Sequence, residues 1–370
     1  RFMPRILDEN LYDAVDSGLA ARMHKAIAVI QFKVEGAMIM RHPEYGMEDR
    51  LLLPAVDYEK GTVTIGGRAY PMLDTNFPTI DPRNPLELTR GEKELLRVLS
   101  ASFRHSEVLH RHVRFLYSHG SIYTCCNSNL LYHGCIPMNE DGSLKEVQIY
   151  EKSYRGKALY DVLECYVRKA FMARDGKEKE RGKDMLWYIW TSPNSPLFGK
   201  NKMATFERYF LAEKETHQEI KNPYYNFLES EEIAERIFEE FQVKGEGRHI
   251  VNGHVPVHHT SGESPIKCKG KILVIDGGFS RAYQKETGIA GYTLIYNSWG
   301  MILAAHEPFT STQDAITKES DILSDSILVK RVTERKNVGA TDTGAKLKER
   351  IAELKELLDA YRNGLLVEKL

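Results

Sequence analysis

A chain of 370 residues, 42% hydrophobic and 28% charged, has enough apolar mass for one large or two ordinary domains with a real core. Its 51 Lys and Arg against 52 Asp and Glu leave a formal charge of −1, which gives no global field toward nucleic acid or an acidic membrane, and runs such as "KILVI" and "YTLIY" are too short to span a bilayer. Five cysteines (Cys125, Cys126, Cys135, Cys165, Cys268) without a C-x-x-C pair argue against a disulfide framework or zinc ribbon and suit a reducing, cytoplasmic setting.

In chain order, residues 1–42 read as mostly helix, broken by Pro43 and Gly46. "GTVTIGGRAYPML" reads as a hairpin turning at Gly66-Gly67, and the proline-punctuated "NFPTIDPRNPLELT" as irregular. Thr89 then caps a helix, with Glu92 at the capping-box distance and Gly120 as its stop. A strand follows through Ile122–His133, with Cys125 and Cys126 as core thiols. Residues 151–240 are largely helical, interrupted by "WTSPNSPLFGKNKM". Strand patterns return in "HIVNGH", "KILVIDGG" and "GYTLIYNSWGMILAAH", the last a hairpin. In the tail, Leu347, Ile351, Leu354, Leu358 and Tyr361 make an a/d stripe of about two heptads, expected to dock on the chain's own body or on a second copy.

The chemistry-bearing pattern occurs twice. "NLLYHGCIP" and "RHIVNGHVPVHH" each run a short apolar strand into a histidine flanked by glycine. Imidazole is a common metal ligand, and a strand end holds it firmly. His133 and His254 are therefore candidates to converge on one cation; the alternative is two unrelated, hydrogen-bonded histidines at sheet edges. His258 and His259 are read as exposed, because Pro256 denies them helical spacing with His254. His105, His110, His112 and His119 are read as a polar helix face, and Glu213 with His217 as a solvated one. The loop Trp190–Lys200 reads either as a substrate lid or as an ordered loop packing on the core. No G-x-S-x-G and no P-loop is present, so serine hydrolase and nucleotide kinase chemistry have no support.

"NLLYHGCIP", "HIVNGHVPVH", "KILVIDGGFSRAY" and "TGIAGYTLIYNSWG", with "MHKAIAVIQFK", "MEDRLLL", "WTSPNSPLFGK", "MATFERYF" and "KNPYY", resemble the class III fructose-1,6-bisphosphatases, calcineurin-like metallophosphoesterases. The resemblance implies an α/β (α+β) chain built on a β-sandwich flanked by helices. It also implies a centre of two divalent metals (Mn²⁺, or Mg²⁺) and hydrolysis of the 1-phosphate of a sugar bisphosphate in gluconeogenesis. On it, His133 and His254 are metal ligands. The expected domains are 1–120, a helical and loop-rich segment; 121–310, the sandwich with a helical insert at about 140–245; and 311–370, an extension ending in an amphipathic helix through which a homo-oligomer forms.

Asp276 in "VIDGGFS" either orients a ligand histidine or caps an Asx-type turn. Arg281, Tyr283 and Lys285 follow the same turn and suit binding of the sugar phosphates; a solvated loop is the alternative. The superfamily's D-x-H, G-D-x-x-D-R and G-N-H blocks do not occur: no Gly precedes Asp, no Asn precedes His, and no Asp has His two positions later. With the start Arg1-Phe2-Met3, this reads as a chain lacking the N-terminal half of the catalytic domain, inactive on its own. Competing readings are a non-catalytic scaffold and a related phosphatase acting on another substrate.

Overall fold

Residues 2, 16–278, 284, 286–307, 311, 313, 316–317 and 324–366 are described by a computed structural model and form a mixed α/β chain in two units. The first unit takes residues 1–121, 137–139 and 143–222, and the second takes 122–136, 140–142 and 223–370.

The first unit opens with α1 (Ser17–Arg41), capped by the Asp16 carboxylate, which accepts from the Leu19 N–H at 2.9 Å. Its Ala28 and Val29 bury against Leu52, Leu53, Val63, Phe77, Phe206 and Phe210. The expected hairpin is present: β2 (Thr62–Ile65) and β3 (Arg68–Pro71) pair antiparallel, turning through Gly66 and Gly67 at φ 56° and 79°, with β1 (Val56–Asp57) beside β2.

The capping box forms at the start of α2 (Arg90–Arg104): the Glu92 N–H donates to Thr89 Oγ1 at 3.3 Å, and the Glu92 carboxylate accepts from the Thr89 N–H at 2.8 Å. The same carboxylate meets the fully buried Lys33 ammonium at 2.9 Å, and Lys33 also donates to the Thr79 carbonyl. Burial pushes the Glu92 carboxyl up, but its bonds with Lys33 and Thr89 more than reverse this and hold it below the usual carboxylate range. The single helix expected to run to Gly120 is in fact two. His105 ends α2, and Ser106 caps α3 (Glu107–His119) by accepting from the Leu109 N–H at 3.3 Å. A serine hydroxyl that bonds the backbone three residues on starts a new helix rather than continuing the old one. His105, His110, His112 and His119 are all exposed.

β6 (Val147–Ile149) and β7 (Lys152–Tyr154) form a small hairpin ahead of α4 (Gly156–Met172) and α5 (Gly176–Thr191). At Gly182 an added Cβ would stand 2.4 Å from the Ala170 nitrogen, so glycine is what lets these two helices touch. Trp190–Lys200 packs as an ordered loop: Ser192 and Ser195 are fully buried, and the Ser195 hydroxyl donates to the Ile189 carbonyl. α6 (Thr205–Phe210) follows. Glu213 and His217 are not a solvated face: His217 lies in a 3₁₀ turn, half-buried, with Nε2 3.1 Å from the Glu207 carbonyl.

In the second unit, the strand expected through Ile122–His133 is a hairpin, β4 (Tyr123–Cys126) and β5 (Asn129–Tyr132). Asn127 and Ser128 turn it at φ 50° and 66°, the left-handed pair that a two-residue turn requires. Cys125 and Cys126 are exposed rather than core, because β4 is the edge of a five-stranded sheet. That sheet runs β4-β5-β8-β10-β9, with β8 (His249–Asn252), β9 (Ile266–Lys267) and β10 (Ile272–Val274); β5, β8 and β10 are parallel. A second, antiparallel sheet comprises β11 (Gly291–Asn297), β12 (Gly300–His306) and β13 (Ser324–Arg331). Val251 and Leu273 of the first sheet share a core with Met301 of the second, flanked by Leu131, Leu294 and Val329. α7 (Glu231–Glu240) buries Ile233, Ala234, Ile237 and Phe238.

α8 (Asp342–Arg362) is tied at its start, where the Asn127 N–H donates to Asp342 Oδ2 at 2.6 Å and the Asp342 N–H to Asn127 Oδ1 at 2.9 Å. Among the described residues its stripe is not covered: Leu347, Ile351, Leu354, Leu358 and Tyr361 are each about half exposed.

Two stability predictions follow from buried charge. Glu92→Ala removes a cap and strands the Lys33 ammonium inside, so chemical denaturation should show a loss of about 3–5 kcal/mol, which a joint Lys33→Met change largely restores. His249 is buried, with Nδ1 3.2 Å from Asn129 Oδ1; burial first, then the Lys330 and Lys336 ammoniums, push its imidazole down to about 4. The unfolded chain takes up that proton near pH 6.5, well before the folded chain does. This contribution is therefore complete above about pH 6.5, and roughly 3 kcal/mol is lost as pH falls toward 4. Urea unfolding at pH 7 and pH 4.5 measures the loss, and His249→Gln should flatten that part of the slope.

Candidate metal centre

Because β5, β8 and β10 run parallel with Leu131 opposite Val251 and Asn252 opposite Val274, the residues just past their carboxyl ends share one edge. Those residues are His133, Gly253-His254 and Asp276. Such an edge is where open α/β sheets gather ligand-binding groups.

The structure brings the two histidines together, with His133 Nε2 2.9 Å from His254 Nδ1. Two nitrogens bound to one cation at about 2.1 Å stand about 3.0 Å apart at a right angle and about 3.4 Å at the tetrahedral angle. The observed spacing therefore suits two ligands of one ion. A direct hydrogen bond, with one ring nitrogen donating and the other accepting, fits the same distance; both rings are then the same tautomer. His133 is open to solvent, so a small ion can reach it. The protein packed around its ring pushes the imidazole below the usual histidine range; His254 pushes the same way and the Asp276 carboxylate pulls it back. A lowered imidazole keeps its lone pair in mildly acidic solution, as a metal ligand must.

His254 holds φ at 69°, in the left-handed region that non-glycine residues rarely enter. Gly253 is not required by crowding: an added Cβ would meet Asp276 Cβ at 3.4 Å and the His133 carbonyl at 3.7 Å, both ordinary contacts. Its N–H donates to that carbonyl at 2.9 Å and ties the two strand ends. Asp276 accepts the Gly278 N–H at 2.8 Å on Oδ1, which is the Asx-type turn, and its charge bears on His133. Gly277 is required by space, since a Cβ there would stand 2.6 Å from Gly291 Cα.

The sequence reading missed the support beneath the pair. The buried Asn252 side chain donates to the Gly134 carbonyl at 3.0 Å and to Tyr224 Oη at 3.1 Å, and Tyr224 Oη lies 2.6 Å from Tyr132 Oη. Asn252 Oδ1 and Tyr225 Oη are enclosed, with no hydrogen-bond partner among the described residues. Burial first, then Cys135, Tyr224 and Asp276, push the Tyr225 hydroxyl up. "NPYY" and "VNGH" contain these residues, but no spacing rule marks them.

His258 and His259 are exposed, as expected. Arg281, Tyr283 and Lys285 lie outside the described residues. Among the described residues, no group of three or more His, Cys, Asp or Glu stands close enough to hold a metal. The chain thus furnishes two nitrogen donors and a neighbouring carboxylate, a fit for part of a cation's ligand set.

Fold and site together define a mixed α/β protein with an imidazole pair and a carboxylate at the ends of parallel strands. Over residues 1–363 the chain matches the family described as Firmicute fructose-1,6-bisphosphatase, and it belongs to that family. It is similar to the class 3 fructose-1,6-bisphosphatase of Clostridium tetani (strain Massachusetts / E88), 54% identical over 370 residues that make 100% of this chain and 56% of that protein. It is also similar to the class 3 enzymes of Alkaliphilus metalliredigens (strain QYMF), 55% identical over 371 residues, and Clostridium botulinum (strain Loch Maree / Type A3), 53% over 369; these cover 100% of this chain and 56% and 55% of those proteins. The chain spans about half the length of the curated relatives it matches. No solved structure matches it.

Asn252→Ala should remove the amide's bonds to the Gly134 carbonyl and to Tyr224 Oη together, costing about 1–3 kcal/mol in urea unfolding. A loss of under about 0.5 kcal/mol would mean the network carries none of the strand-end order.

Proposed function

We propose that this chain carries part of the site of a class III fructose-1,6-bisphosphatase, which hydrolyses the 1-phosphate of fructose 1,6-bisphosphate to fructose 6-phosphate and phosphate in gluconeogenesis. The single observation that supports this reading is the His133–His254 nitrogen separation of 2.9 Å, in a chain whose family carries that name. The two sheets sharing a core agree with a calcineurin-like sandwich, and a cytoplasmic setting agrees with five free thiols.

His133 and His254 would hold a divalent cation, Mn²⁺ or Mg²⁺. When bound, such an ion supplies positive charge for phosphoryl oxygens and lowers the pKa of water. The chain's own residues would do the rest: packing pushes the His133 imidazole below the usual histidine range, Asp276 would orient it, and the Asn252–Tyr224 network would fix both strand ends. Arg281, Tyr283 and Lys285 would bind the sugar phosphates. The carboxylates that a second metal needs are not supplied by a D-x-H or G-D-x-x-D-R block in this sequence, so the chain by itself turns over little substrate. The exposed stripe of α8 is the face through which a homo-oligomer would form. Its flanks Lys348, Arg350 and Lys355 are all basic, so the apolar seam rather than charge pairing would have to drive it.

Phosphate release from fructose 1,6-bisphosphate with Mn²⁺, measured on the isolated chain beside the longer C. tetani relative, tests the reading. The chain should fall short by on the order of 10³-fold or more, since the loss of one transition-state contact already costs 10²–10³. Mn²⁺ should still bind weakly, and His133→Ala or His254→Ala should abolish that binding. Robust turnover by the chain that His133→Ala abolishes would overturn the incomplete site. Equal Mn²⁺ binding by the chain and both variants would overturn the ligand assignment.

A further inference from the structure

The parallel strands that deliver the histidines have a second set of ends. At their amino ends lies a cavity of about 430 Å³, walled by the Gly245–Gly247 loop, Arg248 and His249 at the head of β8, Lys269 to Lys271 before β10, and Lys330 on β13. Four-residue strands at about 3.3 Å per residue put roughly 13 Å between this edge and the histidine pair, so the two sites are separate.

Four Lys and Arg side chains line the cavity, against the carboxylates of Glu235 and Glu246. Three of these cations already have partners: Arg248 pairs with Glu235, Lys271 with Glu235 at 2.8 Å and Glu231 at 3.3 Å, and Lys269 with Glu231 at 2.5 Å. Lys330 makes no hydrogen bond or ion pair with the described residues, although it is half-buried. Its surroundings and the nearby Lys336 push its ammonium below the usual lysine range. The ammonium lies against the backbone of Gly247, where an added Cβ would stand 1.5 Å from Nζ; at φ 64° the position also favours glycine. Glycine thus leaves the loop without a side chain where Lys330 enters it. Glu246 on that loop is exposed and lines the same cavity, and its charge partly offsets the lowering of the Lys330 ammonium.

We propose that this cavity binds a small phosphate-bearing anion, inorganic phosphate or a phosphomonoester, through the Lys330 ammonium, with Lys336 adding to the field. A half-buried cation without a partner is unfavourable, and a dianion at it gains charge-assisted hydrogen bonds that water does not match. The cluster of paired cations around it favours a doubly charged group over a single carboxylate.

The test uses the metal-free chain, so that phosphate has no cation to bind at the histidine pair. Inorganic phosphate and glycerol 3-phosphate are titrated separately by calorimetry and by thermal shift, and the tighter of the two identifies the source. Saturable binding is expected, unchanged in His133→Ala and at least about tenfold weaker in Lys330→Gln. Without phosphate, Lys330→Gln should melt no lower than the parent chain, because it removes an unpartnered cation. Lys336→Gln, an exposed change, should weaken binding several-fold and is the arm that decides if Lys330→Gln does not fold. Parental affinity in Lys330→Gln and in Lys336→Gln, or no saturation by either probe up to about 50 mM, overturns the proposal.

Discussion

Order at the histidine site depends on one amide held inside the sheet. Asn252 is the last residue of β8, and its side chain reaches sideways to the backbone just past β5 and to the phenol of Tyr224, which meets Tyr132 at the end of β5. The backbone ladder fixes Leu131 opposite Val251, but it stops there. Beyond the last ladder bond, two peptide segments would otherwise separate with the freedom of ordinary loops. The amide and the phenols carry register past the sheet, and the Gly253 N–H to His133 carbonyl bond completes it. Buried groups of this kind are high-stakes: satisfied, they specify one arrangement, and unsatisfied, they cost more than an apolar core would.

Local chemistry was legible in the sequence, and long-range consequence was not. The Thr89–Glu92 capping box and the Gly66-Gly67 turn are written within four residues, so reading them needs no tertiary knowledge. The two strand-end histidines were legible because strand, imidazole and glycine recur in the same order. The division of 90–119 into two helices was not, because Ser106 signals a cap only if the backbone bends there, and a hydroxyl on a helix face looks the same. The exposure of Cys125 and Cys126 depended on β4 being an edge strand, which is a property of the sheet rather than of the strand. The a/d stripe of α8 marks an apolar face correctly, yet periodicity says nothing about what covers it.

The near-neutral total charge hides a marked internal sorting. In the first unit, cations and carboxylates are buried in pairs: Lys33 on Glu92, and Arg50 with Lys202 on the fully enclosed Glu207. Burial alone would push Glu207 up, and the bonds from Arg50 reverse it, so the pair survives as ions. In the second unit, the amino ends of the parallel strands collect lysine and arginine, while the carboxyl ends collect imidazole and a single carboxylate. His249 and His133 are both held below the usual histidine range, burial being the first cause for each. Lysines add to it on the first, and a neighbouring imidazole adds to it on the second.

His254 shows why this edge is more than a by-product of sheet geometry. A histidine at φ 69° sits in a region that costs a non-glycine residue about 1–2 kcal/mol, and glycine would occupy it without strain. Glycine stands one position earlier, where neither crowding nor a left-handed φ calls for it. The strained conformation therefore falls on the residue whose side chain has chemistry to offer, and the unstrained one on the residue that has none. Folding alone favours the reverse order. Strain of this kind persists only where the surroundings over-determine it. Here the Gly253 N–H bond to His133 and the Asn252 amide fix the backbone on one side, and the Val255 N–H donates to the Gly253 carbonyl at 2.8 Å on the other. What that conformation secures is the direction of one imidazole toward its partner across the strand ends. The conformational cost thus falls on the residue carrying one of two nitrogens that stand 2.9 Å apart across the strand ends.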